Sequence, residues 1–110
     1  MSLNDPLLEH FYTLQPSRFT CLEHIRVYPG EEAEEGLLVE VVLYGLEPQS
    51  LRLLFHRVEQ LNIQLQHGRN LAINHITSIK DHQWENLNYR ISSEHGELSF
   101  YCRDFEASLV

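Results

Sequence analysis

A chain of 110 residues with eight Lys and Arg against sixteen Asp and Glu carries a formal charge of −8, the opposite of what a phosphate backbone or an anionic membrane attracts, so neither nucleic acid nor membrane is expected as a partner. A hydrophobic content of 43% with 22% charged residues suits a folded globule and not a disordered chain, and the length suits one domain over residues 1–110. No apolar run is long enough to cross a bilayer and the first residues lack a basic-then-apolar leader, so a cytoplasmic setting is expected.

Asp5-Pro6 reads as a helix start, with Asp5 as the cap, Pro6 at the first helical position and Glu9 in the first turn. Leu7, Leu8, Phe11, Tyr12 and Leu14 supply an apolar stripe that stops before Pro16, which predicts a short helix over residues 6–14 leaning on a sheet. Residues 18–28 alternate as a strand, with Phe19, Cys21, Ile25 and Val27 on one parity and Glu23 breaking it. Pro29-Gly30 ends that strand, and Glu31, Glu32, Ala33, Glu34 and Glu35 form an acidic surface connection before Gly36. Residues 37–44 are the most hydrophobic segment. Leu37, Val39, Val41 and Leu43 share one face and Glu40 alone interrupts the other, so a central strand covered on both faces is expected.

Residues 45–48 read as a turn, and two patterns compete beyond it. Leu51, Leu53 and Phe55 and then Leu61, Ile63 and Leu65 alternate as two strands, with Arg57-Val58 as a bulge between them. Leu51, Leu54, Val58, Leu61 and Leu65 also fit helical spacing. The clean alternation with Asn62, Gln64 and Gln66 favours the strands. Residues 71–79 read as another strand, and residues 81–86 as a polar connection whose Trp84 plugs one end of the core.

Residues 87–105 read as an antiparallel hairpin turning at His95-Gly96, with a longer loop as the alternative. That register opposes Ser93 to Leu98, Ile91 to Phe100, Tyr89 to Cys102 and Leu87 to Asp104 on an apolar face. Ser92 and Ser99, Arg90 and Tyr101, and Asn88 and Arg103 fall on the other. Short connections join every element, so the expected fold is α+β, mainly β: an antiparallel, meander-like sheet folded into a sandwich or half-barrel, with one short N-terminal helix.

Motifs with chemical spacing are absent. The seven histidines include no pair four apart on a helix or two apart on a strand, so no metal site is expected. His75, Asp81, His82 and Glu85 form the nearest approach to one. Cys21 and Cys102 sit in apolar patterns and read as small buried hydrophobes. No nucleophile elbow, phosphate-cradling glycine pattern or singled-out carboxylate pair is present, so no catalytic residue and no cofactor is expected.

What remains is binding. Glu31, Glu32, Glu34 and Glu35 offer a contact surface for a basic partner, against the simpler reading of a solvated loop. Tyr101, Arg103 and Phe105 on the last strand offer a second candidate, against the reading of an inner face of a second layer. Together these imply a non-catalytic acidic interaction domain whose partner is a protein, one concrete form being an immunity-type protein that covers the active site of a basic toxin. The alternatives are a metal-assisted enzyme using His75, His82 and a nearby carboxylate, and a structural homodimer joined by strand edges.

Overall fold

In the computed structural model, which describes residues 5–65, 70–80 and 87–110, the chain opens with helix α1 (Pro6–Thr13). Strands β1 (Cys21–Pro29), β2 (Leu37–Tyr44), β3 (Leu51–His56), β4 (Glu59–Ile63), β5 (Ile76–Ser78), β6 (Tyr89–Ser92), β7 (Leu98–Cys102) and β8 (Asp104–Leu109) follow. They build two antiparallel sheets, ordered β1-β2-β3-β8 and β4-β7-β6-β5. The expected mainly β sandwich with one N-terminal helix is the fold observed. Meanders survive within β1-β2-β3 and β5-β6-β7, whereas β3 to β4 and β7 to β8 cross between sheets.

Those two crossings are one feature. Ser50 and Val110 exchange N–H···O bonds of 2.9 Å, Leu51 opposes Leu109, Phe55 opposes Phe105, His56 opposes Asp104, and beyond the corner Glu59 opposes Tyr101. Each step forward on one side is matched by one step back on the other, so the register passes the corner unchanged. It slips by one residue only at Gln60 (φ 57°), after which Asn62 opposes Ser99 and Ile63 opposes Leu98. The segments β3-β4 and β7-β8 are therefore a single ribbon folded over at residues 57–58 and 102–103. Arg57 takes a left-handed conformation (φ 56°) to make the bend. The Arg103 N–H donates to the His56 carbonyl (3.0 Å) and the Val58 N–H to the Leu37 carbonyl (2.9 Å), which hold the fold in place.

Alternation explains why this stretch is strand and not helix: Leu51, Leu53 and Phe55 all enter the core from one face, and Arg57-Val58, expected as a bulge, is the corner itself. Inside the bend, Phe55 meets Phe100 edge-on at 4.8 Å, and Phe105 meets Tyr89 edge-on at 5.0 Å. β2 is buried on both faces as expected, with Glu40 the one charged residue of the strand. Glu23, which breaks the β1 alternation, marks the bulge between Leu22 and His24. The slip leaves Leu22 buried and Cys21 half-buried, and β1 starts at Cys21 because Pro16–Arg18 forms a short 3-10 turn.

Two expectations are corrected. The strand over residues 71–79 shrinks to Ile76–Ser78 because the segment changes partner: Leu71 donates to Thr20 and Asn70 bridges Cys21 in the first sheet, whereas Ile76 pairs with Ile91 in the second. The hairpin register is as expected, Tyr89 opposite Cys102 and Ile91 opposite Phe100, but the turn is the longer loop. The Gly96 N–H (φ 72°) donates to Ser93 (3.1 Å), and Ser93 closes on Leu98. Leu87 does not oppose Asp104, since the chain leaves the hairpin at Arg103. Trp84, expected as a core plug, lies outside the described residues.

Helix α1 closes the remaining side of the sandwich, between the edges of β8 and β5. His10 Nε2–H donates to the Ala107 carbonyl on β8 (2.8 Å), while the Tyr12 hydroxyl accepts from the Ile76 N–H (3.3 Å) and donates to the Ile76 carbonyl (3.4 Å) on β5. Phe11 is fully buried between them, edge-on to Phe105 at 6.1 Å. Asp5 anchors the helix. Its Oδ1 accepts from the N–H groups of Leu7 (3.1 Å) and Leu8 (3.3 Å), and its Oδ2 from the Tyr89 hydroxyl (2.8 Å) and Lys80 Nζ (3.0 Å).

Burial alone would raise the Asp5 pKa, but bonds from Tyr89, Lys80 and the Leu8 backbone outweigh it and hold the carboxyl below its ordinary 3.8. The same burial and the Asp5 carboxylate push the Tyr89 hydroxyl up to about 12. A carboxyl with a depressed folded pKa stabilises fully above its ordinary value, and that contribution is lost as pH falls through the folded value. Asp5→Ala should lower the unfolding free energy by about 2 kcal/mol at neutral pH. In urea titrations the gap to the wild type should narrow as pH falls from about 4 to about 2; a gap independent of pH there would show that the carboxylate charge contributes nothing.

Candidate functional site

The acidic connection is shaped by its ends. The Gly30 N–H donates to the Gly36 carbonyl (2.8 Å), Ala33–Glu35 form a 3-10 turn, and Gly36 sits at φ 64°, ψ −147°, a conformation that L side chains rarely adopt. A Cβ at Gly36 would lie 3.4 Å from Arg57 Cγ, so the loop rests directly on the ribbon corner. Loop and corner together enclose a groove of about 690 Å³. Glu32, Glu34 and Glu35 line it from the loop, His56 and Arg57 from one limb of the ribbon, and Arg103, Asp104, Phe105 and Glu106 from the other, with Leu7 of α1 at the margin.

Two candidate surfaces that are distant in the sequence thus share one concavity. Glu32, Glu34 and Glu35 meet Arg103 and Phe105 there; Glu31 is exposed but outside the lining, and Tyr101 lies on the outer face of the second sheet, opposite Arg90. The ribbon corner breaks the expected row of Tyr101, Arg103 and Phe105. Phe105 is 1% exposed and belongs to the core, so it offers a partner only the floor of the groove. His56, Arg57, Asp104 and Glu106 were not singled out by sequence. The signal available was their alternation with Phe55 and Phe105, which puts His56, Asp104 and Glu106 on the face away from the core.

Five carboxylates face two guanidinium groups in this groove. His56 Nε2 lies 2.7 Å from Glu106 Oε2, and Arg103 Nε 3.6 Å from Asp104 Oδ2, all on side chains at least a third exposed. Such pairs contribute little to stability, so the excess negative charge is available to an incoming cationic surface.

A second polar cluster is structural. Glu40, on the outer face of the first sheet, accepts from Arg52 Nε (2.7 Å) and lies 3.2 Å from His24 Nε2 and 3.5 Å from Arg26. Burial would raise its pKa, but Arg52, His24 and Arg26 outweigh that and hold it low. His75 Nδ1 lies 2.9 Å from the Tyr12 hydroxyl, and His82, its suggested metal partner, lies outside the described residues. Among the described residues no three His, Cys, Asp or Glu groups are placed to hold a metal ion. Cys102 is buried; that burial, together with Asp104, pushes its thiol well above the ordinary range, away from nucleophilic use.

Against known proteins, the family described as Immunity protein PIM8 matches residues 3–108, nearly the whole chain, and the chain belongs to that family. It is an immunity-type protein. No curated protein and no solved structure matches it.

Gly36→Ala should cost about 1–3 kcal/mol, because alanine is strained at this φ and ψ although its Cβ would meet Arg57 only at ordinary contact distance. Thermal unfolding reads the loss, and an unchanged midpoint would mean that the left-handed backbone at this position is not required by the fold. In Cys21→Ser protein the remaining Cys102 should react with a thiol reagent only after denaturation; rapid reaction of the native protein would contradict its burial.

Proposed function

We propose that this member of the PIM8 immunity family neutralises a basic protein toxin by seating the groove at the ribbon corner over the toxin's functional surface, without catalysis of its own. The carrying observation is that the fold gathers Glu32, Glu34, Glu35, Asp104 and Glu106 around a single concavity on a chain of net charge −8. Enzymes that cut or modify nucleic acid present cationic surfaces to their substrate, and an acidic groove competes for that surface. Long-range attraction would speed the encounter, and Arg57, Arg103 and His56 would fix register by pairing with the partner's acidic positions. A cytoplasmic setting goes with this reading, since the thiols of Cys21 and Cys102 are both free. Tyr101 and Glu31 would fall at the rim of a standard-sized interface.

The test is the triple variant Glu32→Lys, Glu34→Lys, Glu35→Lys against the cognate toxin of this immunity protein. Its association rate should fall about tenfold or more with the fold intact by circular dichroism. Wild-type capture should weaken as salt rises from roughly 50 to 300 mM. Capture by the triple variant at the wild-type rate would place the interface elsewhere.

A further inference from the structure

Sheet edges are where a β protein meets other strands, and this molecule closes most of its own. Helix α1 lies along β8 through His10 and satisfies the outward groups of Ile76 on β5 through Tyr12. On β4 the left-handed Gln60 interrupts the row. The edge of β1 differs. Over Ile25, Val27 and Pro29, beyond the stretch at Cys21 that bridges Asn70, no described residue pairs with its outer side.

The direction of its free groups follows from the ladder. Gly30 donates to Gly36, so the even residues Tyr28 and Arg26 bond inward to β2, and Ile25, Val27 and Pro29 point outward. Val27 lies on the same face as the core residues it neighbours, opposite Val39, yet it is 43% exposed, an apolar side chain left half bare at a sheet edge.

We propose that this edge pairs with a second copy of the chain, β1 against β1 in antiparallel register about a two-fold axis at Val27, joining the two β1-containing sheets into one continuous sheet. This goes beyond toxin binding and does not depend on it. The register is selected by the side chains. Centring on Val27 places Val27 beside its own counterpart, covering both, and sets Arg26 across from the second copy's Tyr28, extending the stack in which Arg26 already lies 5.4 Å from its own Tyr28 ring. Centring one residue earlier would oppose Arg26 to itself. Ile25 N–H groups then meet the Pro29 carbonyls, and Pro29, which has no N–H, ends the ladder where the acidic loop begins. Two chains of charge −8 repel at long range, so self-association should strengthen with salt, the reverse of toxin capture.

Sedimentation velocity of the full chain should show a dimer at micromolar concentration that tightens as salt is added. Val27→Pro deletes the central outward N–H of each copy and leaves the inward ladder, so it should raise the dimer dissociation constant about tenfold or more without changing the circular dichroism. Val27→Cys places two thiols at a hydrogen-bonded pair with Cα atoms about 5.5 Å apart, within the roughly 4.4–6.8 Å range that a disulfide spans. It should cross-link under mild oxidation, whereas Glu23→Cys should not exceed the wild type. A monomeric wild type at all concentrations, a dimer that Val27→Pro leaves intact, or cross-linking no faster at position 27 than at 23 would each overturn the proposal. The cysteine variant keeps the test decisive even where the proline variant fails to fold.

Discussion

The fold depends on one ribbon that keeps its register while it bends. Because the pairing of β3 with β8 continues into β4 with β7 without a slip at the corner, the inward residues of each limb stay inward on the next: Phe55 and Phe105 in one sheet, Phe100 and Leu98 in the other. An inserted residue at Arg57 or Arg103 would turn one limb's apolar face outward. The bend is local and steep, carried by a left-handed Arg57 and the bonds of Arg103 to His56 and Val58 to Leu37. The slip that strand twist demands is deferred to Gln60, where β4 no longer has a second neighbour to satisfy.

A folded ribbon makes two layers but leaves a side open, and α1 fills it. Its hold is unusually polar for so short a helix. Asp5 caps the helix and at the same time receives Tyr89 and Lys80 from the second sheet, so the helix start and the sandwich closure are stabilised by one carboxylate. Tyr12 and His10 take up strand groups that would otherwise be bare. An eight-residue helix is marginal alone, and here tertiary contact supplies what propensity does not.

The corner that organises the core also organises the candidate binding surface. The bend raises the two ribbon limbs into a wall, the β1–β2 loop lies over it with Gly36 against Arg57, and the acidic side chains of two separate segments, the loop and β8, converge. Since those charges are exposed, they add little to folding and leave the groove's field free for a partner. Glu40 shows the contrary use of charge: buried and ringed by His24, Arg26 and Arg52, it is spent within the sheet.

Sequence alone determined what is local. The Asp5-Pro6 helix start, the buried β2 strand, the two strands over residues 51–63 and the register of the β6–β7 hairpin are all written in spacing, because a period of two or of 3.6 is a property of the chain itself. The acidic loop and the net charge were equally legible, and with the lack of catalytic motifs they pointed to an immunity-type binder. Only the tertiary structure decided the rest. Whether Phe105 faces a partner or the core depends on the chain crossing sheets at Arg103, and whether Glu34 stands near Glu106, some seventy residues on in sequence, depends on the loop docking against the bend. Alternation says that a residue shares a face with its second neighbour only while the strand runs on. At a corner that inference ends, and packing of the two layers determines the outcome.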